Sequence, residues 1–310
     1  MRFQTTTSWL AASAALLATA VMAGPASAAP SATAAAAAPI THRTIFATKA
    51  GTLYRLTLGP TGAVTTRTPV ADGANATASD YDGTRLVFIR SDGAPGRADD
   101  QVWLREATGG SHYLAPGHLG TFSPGRTGVT IARDVAETDP REPHHDEVSV
   151  YRLTDGHVFP LFSYDWGESN HRIRNSRDGK SLWLFRNRDN GVFQTLDRYD
   201  RATDTVVPRL GQTSTDRCSD VEILPSGANA LIACSGELLT FRLATDKIIH
   251  RTALPRGVWA ATVDGRLDTR TMLLSLGSDT RRWLAALDLT TMRIRTLPGT
   301  AGYTDGVAAY

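Results

Sequence analysis

A unit of about 45 residues recurs along the chain, and this repeat constrains the fold more than any other feature. Each copy has a Gly-containing turn followed by an apolar run, with turn glycines at positions 83, 125, 179, 227 and 265. The five copies span Ser79–Phe88, Phe122–Ile131, Ser176–Leu184, Leu224–Ile232 and Val263–Leu274. Short alternating runs separated by Gly, Pro, Asp and Ser are typical of many short strands. The repeat therefore predicts an all-β architecture built from one small unit.

Each unit continues with further short runs, which gives four antiparallel strands per unit. Residues 44–70 carry only three such runs, and Gly306–Tyr310 is an apolar run with no turn after it, so the two ends together complete a sixth unit. Four-stranded sheets bury both faces when they pack around an axis. We therefore expect a single six-bladed β-propeller over residues 41–310, closed by the C-terminal strand on the first three strands. The alternative, a β-sandwich with an insertion, would not explain the repeated turn or the split unit.

The turns resemble those of the TolB-like family of WD40-like β-propellers, whose repeats carry Ser-Pro-Asp-Gly-Lys before an apolar strand. Ser176–Leu184 is the closest match and lacks only the Pro, while Ser79–Phe88 and Ser123–Ile131 match less completely. The resemblance covers about 41–310. It implies the propeller fold and says little about function, because the motif shapes a turn and is not a catalytic site.

The first 28 residues have the pattern of a secretory signal peptide. Arg2 supplies a positive charge, Leu10–Ala23 is an apolar core, and an Ala-Ser-Ala triplet at 26–28 is a cleavage signal. The core is shorter than the ~20 residues that a membrane-spanning helix needs. Residues 29–40 are expected to form an Ala/Thr/Pro-rich linker. The sequence thus predicts a secreted, extracellular protein with no membrane segment after signal removal, and its Arg-rich, Lys-poor composition is typical of a high-GC bacterium.

The two cysteines, Cys218 and Cys234, flank two β-type runs and a Pro-Ser-Gly turn. The midpoint of their positions is Ser226, within that turn, so a hairpin would place the two cysteines opposite each other. Opposite residues on antiparallel strands have Cα atoms ~4.5–5.5 Å apart, within reach of a disulfide. Disulfides persist in exported proteins. We therefore expect a structural disulfide rather than a reactive thiol pair or a metal site.

A polar cluster at 134–147 is the richest in potential ligands, and it falls between two strands of the third unit. His144, His145, Asp146 and Glu147 could ligate a divalent metal. Adjacent histidines are not the helical pair of a zinc enzyme, however, and the carboxylates lack the spacing of a calcium loop. A solvated, exposed loop is the favoured interpretation. No metal or other cofactor is expected.

The remaining polar candidates are expected around the axial channel. Innermost strands should start seven or eight residues before each turn glycine, which would place a ring of side chains at the channel mouth: His118, His171, Arg172, Asp220 and Asp305. Loops from all blades of a propeller converge there, and mixed His, Arg and Asp would suit a polar or anionic ligand. The alternative is a hydrated rim with no ligand.

The charge balance and the motifs of the sequence limit the classes of function that the protein can have. Lys and Arg number 33 against 31 Asp and Glu, which is unlike the concentrated basic surface of a nucleic-acid-binding protein. The Gly-x-Ser-x-Gly elbow of a serine hydrolase is missing. We expect a monomeric, non-enzymatic binding module for an unidentified protein or small polar ligand at the channel mouth. The alternative is a secreted hydrolase or lyase with a polar active site at the same mouth.

Overall fold

The computed structural model describes residues 40, 44–91, 100–135, 145–164, 169–176, 178–188, 193–210, 218–224 and 226–308. Of residues 169, 171, 187, 188, 193, 194, 210 and 260 it describes the backbone alone. The predicted signal peptide and all but the last residue of the predicted linker lie outside this part of the chain. No helix in the described ranges has the length and apolar character needed to cross a bilayer.

Six four-stranded antiparallel sheets, here called blades 1 to 6, make up the described chain. Blade 1 contains β1 (Thr44–Lys49), β2 (Thr52–Leu58), β3 (Val64–Ala74) and β24 (Thr304–Ala308). Blade 2 contains β4 (Ala76–Tyr81), β5 (Leu86–Arg90), β6 (Gln101–Arg105) and β7 (Ser111–Pro116). Blade 3 contains β8 (Leu119–Phe122), β9 (Gly128–Val135), β10 (His145–Arg152) and β11 (Val158–Ser163).

The other three blades follow the same order from the inner strand outwards. Blade 4 contains β12 (Ser169–Asn175), β13 (Ser181–Arg188), β14 (Phe193–Asp200) and β15 (Thr205–Leu210). Blade 5 contains β16 (Cys218–Ile223), β17 (Asn229–Cys234), β18 (Glu237–Arg242) and β19 (Lys247–Ala253). Blade 6 contains β20 (Ala260–Arg266), β21 (Thr271–Gly277), β22 (Arg282–Asp288) and β23 (Arg293–Thr296).

The recurring Asp-Gly turn joins the first two strands of a blade through side-chain hydrogen bonds. The Asp82 carboxylate accepts the backbone N–H groups of Thr84 at 2.9 Å and Arg85 at 2.7 Å. Gly83, which lies between Asp82 and Thr84 in the chain, has a φ of 97°, a conformation that glycine adopts without steric cost. The repeat visible in the sequence is therefore the chemistry of this turn.

The core lies between neighbouring blades, because each sheet presents apolar side chains on both faces. Between blades 4 and 5, Phe185 packs in one buried cluster with Val221 and Phe241. Between blades 6 and 1, Leu273 shares a buried cluster with Ile45. Burial on both faces explains why the central strands are almost continuously apolar.

The ring closes within blade 1, as the sequence predicts. β24 pairs antiparallel with β1, with Ile45 opposite Ala308 and Phe46 opposite Val307. The inner strands β24, β4, β8, β12, β16 and β20 also contact one another in turn around the axis. A Cβ at Gly265 would lie 2.7 Å from the Ala308 carbonyl oxygen, so glycine is needed where the last strand passes blade 6. The six-bladed propeller and its mode of closure are thus confirmed.

The predicted disulfide is also confirmed. Cys218 and Cys234 are directly opposite in the β16–β17 pairing, and their sulfur atoms are bonded. Both cysteines are buried. The bond joins the start of the inner strand of blade 5 to the end of its neighbour.

The polar cluster of blade 3 differs from the expected loop. His145, Asp146 and Glu147 lie in strand β10, paired with Val135, Asp134 and Arg133 of β9. Asp146 is only 1% exposed. It is buried because its carboxylate accepts hydrogen bonds from the backbone N–H of Asn170 at 2.5 Å and from the Asn170 side-chain amide at 3.0 Å. His144 lies outside the described residues.

Candidate functional site

A Ser-Asp pair clamps the inner strand of blade 2 to that of blade 3. Ser79 lies at a bulge in β4, and its hydroxyl donates to the Gly120 carbonyl oxygen at 2.7 Å and accepts the Gly120 N–H at 3.1 Å. The following Asp80 accepts the N–H of Tyr81 with one carboxylate oxygen and that of Phe122 with the other, both at 2.8 Å. Both oxygens of Asp80 therefore hold backbone in place.

The same clamp recurs between blades 5 and 6, where it includes the predicted channel residue Asp220. The Ser219 hydroxyl donates to the Ala261 carbonyl oxygen at 2.7 Å. One oxygen of Asp220 accepts the N–H of Val221 at 2.7 Å, and the other accepts the N–H of Val263 at 2.9 Å. Asp220 is fully buried. Its first role is thus to join two blades at the axis.

The predicted residue Arg172 links three blades. From blade 4, its guanidinium donates two hydrogen bonds to the Asp220 carboxylate, at 2.6 and 2.8 Å. Its Nη2 also lies 3.4 Å from Asp264 of blade 6. Burial alone would lower the pKa of Arg172, but Asp220, Asp264 and the nearby Asp305 raise it above its ordinary value. Arg172 therefore stays charged and compensates several buried acids.

Asp264 is a buried carboxyl group whose pKa is raised towards neutrality. Burial, with a smaller effect of Asp220, raises its pKa to about 7 against the opposing effect of Arg172. Asp264 Oδ2 accepts the hydroxyls of Ser275 at 2.5 Å and Thr262 at 3.0 Å. These hydrogen bonds fix its orientation in a low-dielectric site.

A second ion pair lies two residues further along the same inner strands. Arg174 of β12 donates to the carboxylate of Glu222 of β16, and both side chains are at least nine-tenths buried. Burial raises the pKa of Glu222, opposed by Arg174, and Asp220 and Asp80 add to the rise. The acids of the channel therefore repel one another.

A cavity of about 200 Å³ lies at the end of the channel where the inner strands finish, here called the turn mouth. All six inner strands or the turns that follow them contribute to its wall. Its acidic side chains are Asp80, Asp82, Glu222 and Asp264, and Phe122 and Val307 supply apolar surface. Arg174 and, on the exposed rim, Arg126 are its basic side chains. Asp82 is paired with Arg85 at 2.9 Å.

The predicted mouth residues occupy different environments. Arg172 and Asp220 meet in one network, and Asp305 of β24 is near enough to raise the pKa of Arg172. His118 lies instead within blade 3, directly before β8, where its Nε2 is 3.4 Å from the Asp146 carboxylate of β10 and its side chain is only 3% exposed. His171 lies in β12, and only its backbone is described. Their role in ligand binding stays a prediction.

Sequence reasoning missed the residues that line the cavity itself. Asp80, Arg174, Glu222 and Asp264 were not among the predicted site residues. A signal was present for some of them, because Arg174 and Glu222 follow Arg172 and Asp220 by two residues and so share a strand face with them. The repeated Ser-Asp dipeptide at 79–80 and 219–220 was a second signal.

The predicted metal ligands Asp146 and Glu147 bond to other side chains of the protein. Glu147 pairs with Arg133, and Asp146 binds Asn170 as described above. Within the described ranges, His, Cys, Asp and Glu side chains do not gather in groups of three or more that could hold a metal ion.

Comparisons with known proteins bear on the fold. No family model matches the sequence, and no curated protein matches it. Among solved structures, TolB from Acinetobacter baumannii is similar over 87% of this chain and 67% of its own, with a TM-score of 0.64 and 12% identity. A putative TolB from Agrobacterium tumefaciens is similar over 87% of this chain and 99% of its own, with a TM-score of 0.56 and 11% identity.

A chain of a nidogen/laminin complex is also similar, over 86% of this chain and 98% of its own, with a TM-score of 0.60 and 10% identity. At these identities the likeness concerns the fold. The fold implied by the turn sequences, a TolB-like six-bladed propeller, is therefore confirmed, and the function is argued from the site.

Proposed function

We propose that this chain is an exported binding module that engages a ligand or partner protein at the axial channel. One observation carries the proposal: charged and polar side chains from five blades, with apolar side chains from blade 1, converge on one open cavity at the turn mouth. Convergent polar groups within a partly apolar concave surface are typical of binding sites. One similar propeller is part of a protein–protein complex, which supports an interaction role.

Export is part of the proposal. The buried disulfide Cys218–Cys234 fits an oxidising compartment, and residues 1–28 have the pattern of a signal peptide. Mass spectrometry of the protein from culture medium should find a mature chain that begins at Ala29. A chain found in the cell with residues 1–28 intact would contradict export.

The channel is tested by site-specific photo-crosslinking in the producing cells. A photoreactive residue replaces Arg126 on the rim of the turn mouth or, as the matched control, Ile249 on the outer strand β19, which is 42% exposed. Adducts at position 126 that do not form at position 249 are expected. Adducts confined to position 249, or equal at both, would overturn binding at the channel.

An alternative function is that of a hydrolase or lyase at the same cavity. Asp264, with a pKa of about 7, has the proton affinity that a general acid or base needs at neutral pH. Turnover of a glycoside or polyuronate that is lost in Asp264→Asn and kept in Asp155→Asn would favour this alternative. No turnover by either variant or by the parent protein would favour the binding module.

A further inference from the structure

The channel carries an excess of negative charge. Seven charged side chains of the described inner strands interact there: Arg172, Arg174, Asp80, Asp220, Glu222, Asp264 and Asp305. Five are acids and two are arginines, and Arg126 on the rim of the cavity adds a third positive charge, so the acids exceed the bases by two when all are ionised. Asp82 does not change this balance, because it is paired with Arg85.

This excess is costly because the groups are removed from water. Glu222 and Asp264 are 3% and 2% exposed, and burial of charge without compensation is strongly unfavourable. Burial raises the pKa of both carboxyl groups, and the nearby Asp220 adds to the rise in each. The site can lower this cost by taking up protons or by taking up a cation.

The dimensions of the cavity favour an organic cation over a metal ion. A cavity of about 200 Å³ exceeds the ~150 Å³ that accommodates a benzene-sized group. Its wall is partly apolar, with Phe122, Pro124 and Val307, which suits the methylene stem of a long side chain. Among the described residues, His, Cys, Asp and Glu side chains form no group of three that could surround an ion.

Two guanidinium groups of the protein's own arginines are already bound beside this cavity. Arg174 is held by Glu222, and Arg85 is held by Asp82 with its guanidinium 5.1 Å from the centre of the Phe122 ring. Arg85 Nη2 also donates to the Arg126 carbonyl oxygen at 2.8 Å. Carboxylate, ring face and carbonyl are the three kinds of contact that a further guanidinium would use.

We propose that the turn-mouth cavity receives the cationic side chain of an Arg or Lys residue presented by a partner protein. This inference rests on the proposed function, since it names what the channel recognises in its partner. The bound cation offsets the excess negative charge of the inner strands, with Glu222 and Asp264 facing it and the apolar wall covering its stem.

The test uses the mature protein and small blocked amino acids. N-acetyl-arginine methylamide is titrated by calorimetry and by ligand-observed NMR, with the uncharged isostere N-acetyl-citrulline methylamide as control. At least tenfold tighter binding of the arginine probe is expected, because only the charge differs. Equal binding of the two probes, or preference for N-acetyl-glutamate methylamide, would overturn the proposal.

A matched pair of variants locates the binding. Glu222→Gln removes one of the channel acids and keeps an oxygen acceptor for Arg174, whereas Glu237→Gln makes the same change in an exposed pair with Arg251. Arginine-probe affinity should fall at least tenfold in the first variant and stay unchanged in the second. An equal loss in both variants would place the probe elsewhere and overturn the proposal.

The parent protein gives a readout that does not depend on any variant folding. Because Asp264 has a pKa of about 7, a cation bound beside it should expel part of a proton at pH 7. The binding heat should therefore differ between phosphate and HEPES buffers, which have different ionisation heats. Binding heats equal in the two buffers would contradict a cation beside Asp264.

Further probes separate the possible sources of the cation. Agmatine binding more tightly than the blocked arginine would mean that the cavity serves a free amine, and calcium displacing the probe at equal concentration would mean a metal site; either result overturns the proposal. Crosslinks at position 126 without arginine binding would sink this inference and leave the proposed function standing. Arginine binding without crosslinks at position 126 would contradict the proposed function and, with it, the presentation of the cation by a partner protein.

Discussion

Replacing Asp264 by Asn should make the protein more stable, and by an amount that depends on pH. Burial raises the pKa of Asp264 from its ordinary value of 3.8 to about 7. The folded state therefore holds this proton over a pH range in which the unfolded chain has lost it. Its stabilising contribution is fully present below pH 3.8, declines as the pH rises, and is lost once the pH passes about 7.

The size of the effect follows from the shift. Each pKa unit corresponds to 1.36 kcal/mol, so about three units give about 4 kcal/mol as the difference between pH 4 and pH 8. The asparagine side chain introduced at this position does not titrate and keeps an oxygen to accept the Ser275 and Thr262 hydroxyls. The free energy of unfolding of Asp264→Asn minus that of the parent should therefore rise between pH 4 and 7 and level off above.

Urea unfolding followed by tryptophan fluorescence at one-unit pH intervals measures this difference. Asp155→Asn is the control, because Asp155 is exposed beside Arg152, which lowers its pKa to about 2. Its difference from the parent should be flat above pH 5. If the curves for Asp264→Asn and the parent run parallel from pH 4 to 8, the argument that Asp264 is held near neutrality by burial is refuted.

Three further predictions concern the framework. Deleting residues 307–310 removes Val307 and Ala308, two of the residues that pair the closing strand with β1, and should abolish the cooperative unfolding transition, and a truncated chain that melts like the parent would contradict ring closure. Replacing Cys218 and Cys234 by Ser should lower the free energy of unfolding by about 3 kcal/mol in denaturation experiments, because the closed loop has roughly 15 residues, and thiol labelling of the unreduced, unfolded parent should find no free sulfur. Ser79→Ala should cost about 1–3 kcal/mol by leaving the buried N–H and carbonyl of Gly120 unpaired, whereas a Ser226→Ala change in an exposed turn should cost less than half of that, and equal losses would contradict the clamp.

The fold could be predicted from the sequence because the turn motifs that indicate it are local and repeated. The turn glycine at 83 has a positive φ, as have those at 125, 179 and 227, so four of the five copies carry this glycine at the turn, whereas Gly265 of the fifth copy lies within β20. The cysteine pairing could be predicted from the midpoint at Ser226, since hairpin register follows from the position of the turn. Ring closure followed from counting strands.

The burial and the hydrogen-bond partners of the channel residues could not be predicted from the sequence in this way. Asp220 is buried because a bulge at Ser219 turns its carboxylate towards two backbone amides and Arg172. Bulges leave no reliable sequence mark. Asp146 is buried by Asn170, 24 residues away on another blade. Contacts between blades are set by three-dimensional packing, which periodicity along one strand does not encode.

The pairing of β24 with β1 has a consequence for biosynthesis. β1 is made before the other described strands and β24 after them, so the edge of β1 stays without its partner until the strands of blades 2 to 6 have been synthesised. An open edge of this kind is a template for pairing with other chains. Incomplete molecules therefore expose this edge to aggregation until β24 has been made and has paired with β1, and a chaperone that covered the edge in the meantime would protect them.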